Sequence, residues 1–232
     1  MDSFPRYLIN LEKSTDRLQN MTESLGLLRL SFERVSAVNA QELSDEDWAM
    51  DLTPSIEYPY QLRSGELACF LSHRKCWKKL AESQQEWALI MEDHCVFSSR
   101  ATKYLTNSDW IPAECEIVQF VFTKNPVYVD KTIELGDGNS LIRLKNSSPI
   151  GTSAYMISRK AAVLALETSQ NIYGPVDNFL FGEQSCFTKK IKPWRLLGAV
   201  VKRYEQTVTT IYGRGRKSKA FNKERFLPKR LI

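Results

Sequence analysis

No apolar run in the chain approaches the roughly 18 residues that a membrane span requires, and the first one, Tyr7 to Leu11, is broken by Asn10 and too short for a signal-peptide core. The chain is therefore expected to stay in the cytoplasm. Cysteine is scarce. Cys69, Cys76, Cys95, Cys115 and Cys186 make an odd number with no Cys-x-x-Cys pair, which argues against a disulfide framework and against a zinc site. They read as reduced, mostly buried small hydrophobes. There are two histidines, no internal repeat, no low-complexity segment, and no Gly-rich loop behind the first apolar run. Any phosphate held there must be met by side chains and ordinary backbone.

What is present describes a folded protein. The 232 residues suffice for one large α/β domain or one domain with a small appendage, and 43% hydrophobic with 25% charged residues excludes a disordered chain. The net charge of +5 is uneven. Residues 213–232 hold eight Lys and Arg against Glu224, a local charge of +7, which leaves the rest near −2. The expected division is one domain over residues 1–212 and a basic C-terminal tail over 213–232.

The most informative stretch is Trp87-Ala88-Leu89-Ile90-Met91-Glu92-Asp93-His94. Five apolar residues in succession are too few for a core helix and read as a strand buried on both faces. In open α/β sheets ligands bind at the carboxyl ends of parallel strands, so Glu92, Asp93 and His94 stand where chemistry is expected. If strand geometry persists, Glu92 and His94 point to one side and Asp93 to the other. Carboxylates suit Mg²⁺ or Mn²⁺, and imidazole tolerates Mn²⁺ better. The plain alternative is an acidic strand end in solvent.

Around this stretch, Tyr7 to Leu11 reads as a first strand. Ser14, Thr15 or Asp16 then caps a helix from about Arg17 to Leu25. Arg17 is either a phosphate contact or a surface residue. Leu30 to Val38 reads as a second strand leading to a loop at Val38-Asn39, followed by a short helix and a loop through Pro54, Tyr58, Pro59 and Tyr60. Ser64-Gly65-Glu66 opens a helix in which Glu66, Phe70, His73, Trp77 and Leu80 share one face. His73 there is a hydrogen-bonded core residue or a site residue. Two turns separate it from Glu66, so the two cannot ligate one ion. Glu116 to Phe122 is a further strand, and Gly136-Asp137-Gly138-Asn139 joins a β-hairpin. Gly151 to Ile157 is a strand before a helix capped by Ser158. Asp177, beyond Pro175, is a helix cap or a functional acid facing a cavity.

Four of these stretches, in this order, resemble glycosyltransferase family 25: Tyr7 to Leu11 with Ser14, Asp16 and Arg17; Gly65 to His73; Trp87 to Asp93; and Gly151 to Ile157. A weaker echo lies at Pro175-Val176-Asp177. The resemblance implies an α/β fold of the GT-A-like (Rossmann-like) type with a mixed central sheet, a UDP-sugar donor, most often UDP-galactose, and inversion at the anomeric carbon. It implies a lipooligosaccharide or LPS core acceptor, lipid-linked; the charge of the basic tail is expected to hold the protein peripherally on anionic lipid at the cytoplasmic face of a bacterial inner membrane, the alternative being a solvated C-terminus. Nucleic acid is not expected as a partner, because the tail has only Phe221 and Phe226 as aromatics and no reading motif.

For the site, the resemblance and the residue types together nominate Asn10, Leu11, Arg17, Val38, Asn39, Glu66, Ser72, His73 and Glu92 for the donor and Thr152 and Tyr155 for the acceptor. Asp177, with Glu183 behind it, is nominated as base. Asp93 serves the leaving group, with His94 as its partner on Mn²⁺ or Mg²⁺. The family pattern Glu-Asp-Asp has His94 in its third place here. Imidazole can replace a carboxylate on Mn²⁺, or carry the positive charge itself. A catalytically impaired sugar-nucleotide-binding protein of the same fold is the alternative.

Overall fold

The computed structural model describes residues 4–48, 61–120, 127–146, 151–183, 185–198 and 200–203. The basic tail and the loop of Pro54, Tyr58, Pro59 and Tyr60 lie outside the described residues.

The chain runs β1 (Arg6–Asn10), α1 (Thr15–Leu27), β2 (Glu33–Ser36), α2 (Asp45–Trp48), α3 (Ser64–Ala81), β3 (Trp87–Glu92) and β4 (Cys95–Phe97). It continues through α4 (Ala101–Leu105), β5 (Ile117–Gln119), β6 (Tyr128–Glu134), β7 (Ser140–Asn146), β8 (Ala154–Ser158), α5 (Arg159–Thr168), α6 (Val176–Phe181), β9 (Trp194–Leu197) and β10 (Val201–Arg203). Eight strands form one sheet in the order β2-β1-β3-β8-β5-β9-β7-β6, and β4 pairs with β10 apart from it. The sheet is mixed, as expected: β1 is parallel to β2 and β3, whereas β8 is antiparallel to β3 and β5.

The continuous apolar runs of the central strands follow from burial on both faces. Along β3, Ala88 and Ile90 enter the core beneath α3, α5 and α6, while Leu89 and Met91 enter the core beneath α1 and α4. β1 divides likewise, with Tyr7 and Ile9 on the first side and Leu8 on the second. The helix α3 carries Phe70, His73, Trp77 and Leu80 inward, all fully buried. At its start the Glu66 carboxylate accepts the Arg63 backbone N–H at 3.1 Å, and Lys78 and Lys79 sit in its last turn, both favourable to the helix dipole.

Several boundaries differ from expectation, among them β8, which begins at Ala154 instead of Gly151, and β5, which begins at Ile117 instead of Glu116. α1 begins at Thr15, two residues early. β2 is four residues long, the stretch that pairs with β1; the chain turns at Arg29 (φ 56) after α1, and Leu30 is buried in that connection rather than in the strand. The hairpin of β6 and β7 forms at Gly136 and Gly138, whose φ values of 76 and 78 suit glycine, and Asp137 ties its turn to Lys103 and Tyr104 of α4.

Candidate functional site

β1 and β3 run side by side with Ile9 opposite Glu92, so the turns after both strands emerge together. Asp93, just past β3, is 8% exposed. Its Oδ2 accepts the Asn10 amide at 2.7 Å and its Oδ1 accepts Arg17 Nη1 at 2.9 Å. Arg17 comes from the first turn of α1, and its other terminal nitrogen donates to Ser14 Oγ. Burial raises the Asp93 pKa above its ordinary value, although Arg17 and Asn10 oppose the shift.

Glu92 faces the other way. Its Oε1 accepts Thr152 Oγ1–H at 2.7 Å and lies 3.6 Å from His73 Nε2, and its Oε2 lies 3.7 Å from His94 Nδ1. Burial alone would raise its pKa, but His94, His73 and Thr152 together hold it well below the carboxylate range. His94 Nε2 is 2.8 Å from Ser153 Oγ. His73 Nδ1 is 2.9 Å from Tyr155 Oη, which also accepts Trp77 Nε1–H at 2.8 Å. Since an indole N–H only donates, the Tyr155 proton is free to point at His73 Nδ1. The imidazole proton then sits on Nε2, toward Glu92.

A cavity of about 50 Å³ opens in front of this carboxylate, lined among others by Glu66, Cys69, Glu92, His94, Thr152 and Asp177. That volume holds an ion or a water molecule, whereas pockets that enclose a whole small ligand measure hundreds of Å³. Asp177 is in the first turn of α6, whose N-cap is Pro175, and its Oδ1 accepts the N–H of Asn178 at 3.0 Å. It is therefore a first-turn acid and a cavity wall at once, not the cap itself.

The fold gathers Glu66, Glu92, His94, Thr152 and Asp177 at one cavity and Asn10, Arg17 and Asp93 at an adjoining one-sided network. Several nominated residues serve by position instead of contact. Asn10 and Ser72 are 1% and 2% exposed. Asn10 holds Asp93, and Ser72 Oγ accepts the Val38 N–H at 2.9 Å, which anchors the Val38-Asn39 loop on α3. The half-buried Leu11 offers its carbonyl to Ser14 N–H, closing the turn into α1. Glu183 is exposed beyond α6 and does not line the cavity.

Two expectations, both on the acceptor, are corrected. Tyr155 is fully buried and bonded to His73 and Trp77, so no acceptor reaches it; alternation along β8 turns it into the core. Thr152 is 3% exposed and its hydroxyl is committed to Glu92. The Asp93 oxygens accept a guanidinium and an amide N–H, while His94 engages Ser153 and Glu92 on the other side of the strand end.

Cys69 and Ser153 belong to this site and were not singled out from sequence. A cysteine four residues before His73 on one helix carries a readable spacing, because i and i+4 share a face. Ser153 carries no such signal.

A family model described as "Glycosyltransferase family 25 (LPS biosynthesis protein)" matches residues 4–180. Among individual proteins, the "Lipooligosaccharide biosynthesis protein lex-1" of Haemophilus influenzae is 22% identical over 218 residues, covering 82% of this chain and 72% of that one. The "Lacto-N-neotetraose biosynthesis glycosyltransferase LgtB" of Neisseria meningitidis is 26% identical over 187 residues, 76% of this chain and 66% of that one. A "Glycosyltransferase 25 family member" of Anopheles gambiae is 35% identical over 97 residues, 39% of this chain, which spans only 16% of the mosquito protein. Among solved structures, a glycosyltransferase involved in glycosylation of the major capsid of PBCV-1 is similar at a TM-score of 0.39 and 11% identity, covering 71% of this chain and 65% of that one.

Proposed function

The chain belongs to glycosyltransferase family 25, and from that premise we propose that it moves a hexose, galactose in the first instance, from a UDP-sugar to a lipooligosaccharide core acceptor with inversion. The observation that carries the reading is the placing of Glu92, His94 and Asp177 on one cavity at the carboxyl end of β3, with the Arg17–Asp93 pair beside it. The names of the Haemophilus and Neisseria relatives support the acceptor class.

Inverting transfer asks for a base on the acceptor hydroxyl and a partner for the charge that departs on the diphosphate. Asp177 takes the acceptor proton as the hydroxyl oxygen attacks the anomeric carbon. The bond from that carbon to the diphosphate oxygen breaks, and its electron pair leaves with UDP. Arg17, steered by Asp93, and His94, beside Glu92, face the leaving group. The hexose sits across the mouth of the small cavity, and the nucleotide lies along the Leu11 and Val38-Asn39 turns. No step is assigned to a metal ion.

A screen of UDP-sugars with and without Mn²⁺, read by UDP release and by the anomeric configuration of the product, tests this. One UDP-hexose should be consumed with an inverted product. If no UDP-sugar binds the folded protein more tightly than about 1 mM by calorimetry, the reading fails.

A further inference from the structure

Cys69 and His73 lie one turn apart on α3, so both side chains leave the same face of the helix. The carboxylate of Glu92 approaches that face from the end of β3. One donor atom from each residue, a sulfur, an imidazole nitrogen and a carboxylate oxygen, falls within 4.8 Å of the other two. Among the described residues no other set of His, Cys, Asp and Glu donors closes so far.

A second observation points to a ligand. His73 is fully buried, and its Nε2 has no hydrogen-bond partner, being 3.6 Å from Glu92 Oε1. The opposite nitrogen is held by Tyr155, which Trp77 holds in turn. Metal-ligating imidazoles are oriented in this manner, by a bond to the nitrogen that does not touch the ion.

We propose that Cys69, His73 and Glu92 bind a thiophilic divalent ion, Zn²⁺ foremost, with its fourth position open to the cavity. The mixed sulfur, nitrogen and oxygen set is wrong for Mg²⁺ and Ca²⁺, which take oxygen ligands, and right for Zn²⁺ with three protein ligands and one open place. Bond lengths of about 2.3 Å to sulfur and about 2.0–2.1 Å to nitrogen and oxygen put tetrahedral ligands roughly 3.3–3.6 Å apart. The His73 and Glu92 donors already stand at that separation. Cys69, half-buried on the cavity wall, closes the remainder by turning its side chain. On binding, the imidazole proton moves to Nδ1 and is donated to the Tyr155 oxygen, whose own O–H turns away from the ring, and the Cys69 thiol releases one proton to solvent.

This site shares His73 and Glu92 with the residues nominated for the donor and opens on the same cavity, but metal binding is read by itself and does not depend on the transfer reaction. The search for Cys-x-x-Cys pairs misses it because two ligands come from one helical turn and the third from a distant strand.

The test uses the full reduced chain, stripped of metal by a chelator and titrated with Co²⁺ as a spectroscopic stand-in. One equivalent should produce a thiolate-to-cobalt charge-transfer band in the near ultraviolet, and Zn²⁺ should bleach it. Cys69→Ser, a near-isosteric change, should abolish the band with the circular dichroism unchanged, and Cys186→Ser should keep it. Tyr155→Phe should weaken Zn²⁺ by about 10-fold or more, as loss of an orienting bond does. Absence of a band in the parent, or a band that survives Cys69→Ser, overturns the proposal.

Discussion

Arg17 reaches across 76 positions of sequence to place Nη1 2.9 Å from Asp93 Oδ1. The carboxylate is nearly buried and the guanidinium about one-sixth exposed, so each charge depends on the other for compensation. Arg17→Ala and Asp93→Ala should each cost about 1–3 kcal/mol of stability, and the double variant should cost less than their sum, a coupling that chemical denaturation of all four proteins measures. Asp93→Ala should also lower turnover by about 10²-fold or more. Additive costs with normal turnover would mean that the pair is incidental.

The two carboxylates at the end of β3 titrate in opposite senses. Glu92 has its folded pKa below the ordinary 4.5, so the stability it contributes is present above that value and is lost as pH falls toward the folded pKa. Asp93 has its folded pKa above the ordinary 3.8, so between the two values the native state holds more protons and stability falls as pH rises. Melting curves from about pH 7 to about pH 3 should therefore show a shallower acid loss in Glu92→Gln than in the parent, and a steeper one in Asp93→Asn. Parallel curves for all three proteins would contradict both assignments.

His94→Asp restores the Glu-Asp-Asp pattern of the family. The new carboxylate would stand beside Glu92 in place of an imidazole 3.7 Å away, creating like-charge repulsion that a divalent cation relieves. The variant should respond to Mn²⁺ at least as strongly as the parent, by donor calorimetry with and without the ion. A variant that ignores Mn²⁺ while the parent responds would remove this position from any metal role.

Asp177 lines the cavity with Glu92 and His94. As the base in transfer it should be expendable for donor binding and needed for turnover. Asp177→Asn should lower kcat by about 10²–10⁴-fold with the UDP-sugar affinity preserved. An unchanged kcat would return Asp177 to the role of a helix first-turn acid.

The tail of +7 over residues 213–232 invites a membrane test. Polybasic segments gain about 1 kcal/mol per Lys or Arg at an anionic surface, so half of these charges would hold the protein there reversibly. Deletion from Gly213 onward should abolish sedimentation with anionic vesicles and leave transfer to a soluble acceptor intact. Equal sedimentation of the truncated chain would mean that the tail is not the anchor.

Much of this could be read from local pattern. Continuous apolar runs identified β1 and β3, a 3.6 period identified α3, and a glycine turn identified the β6–β7 hairpin, because apolar spacing and glycine turns are local properties. The run from Trp87 to His94 announced both a strand buried on two faces and a change to polar chemistry at its carboxyl end. Alternation alone placed Glu92 and His94 on one side and Asp93 on the other.

Partnership is another matter. That Asp93 is met by Arg17 and Asn10, that Thr152 is occupied by Glu92, and that Tyr155 turns inward to His73 follow from strand order and register, which couple residues 60 to 83 positions apart. The sequence marks which residues can ionise, donate or ligate, since that is covalent chemistry. Which of them meet, and which are buried beyond a substrate's reach, is set by the packing of α3 and β8 against β3, a long-range choice that no local spacing encodes.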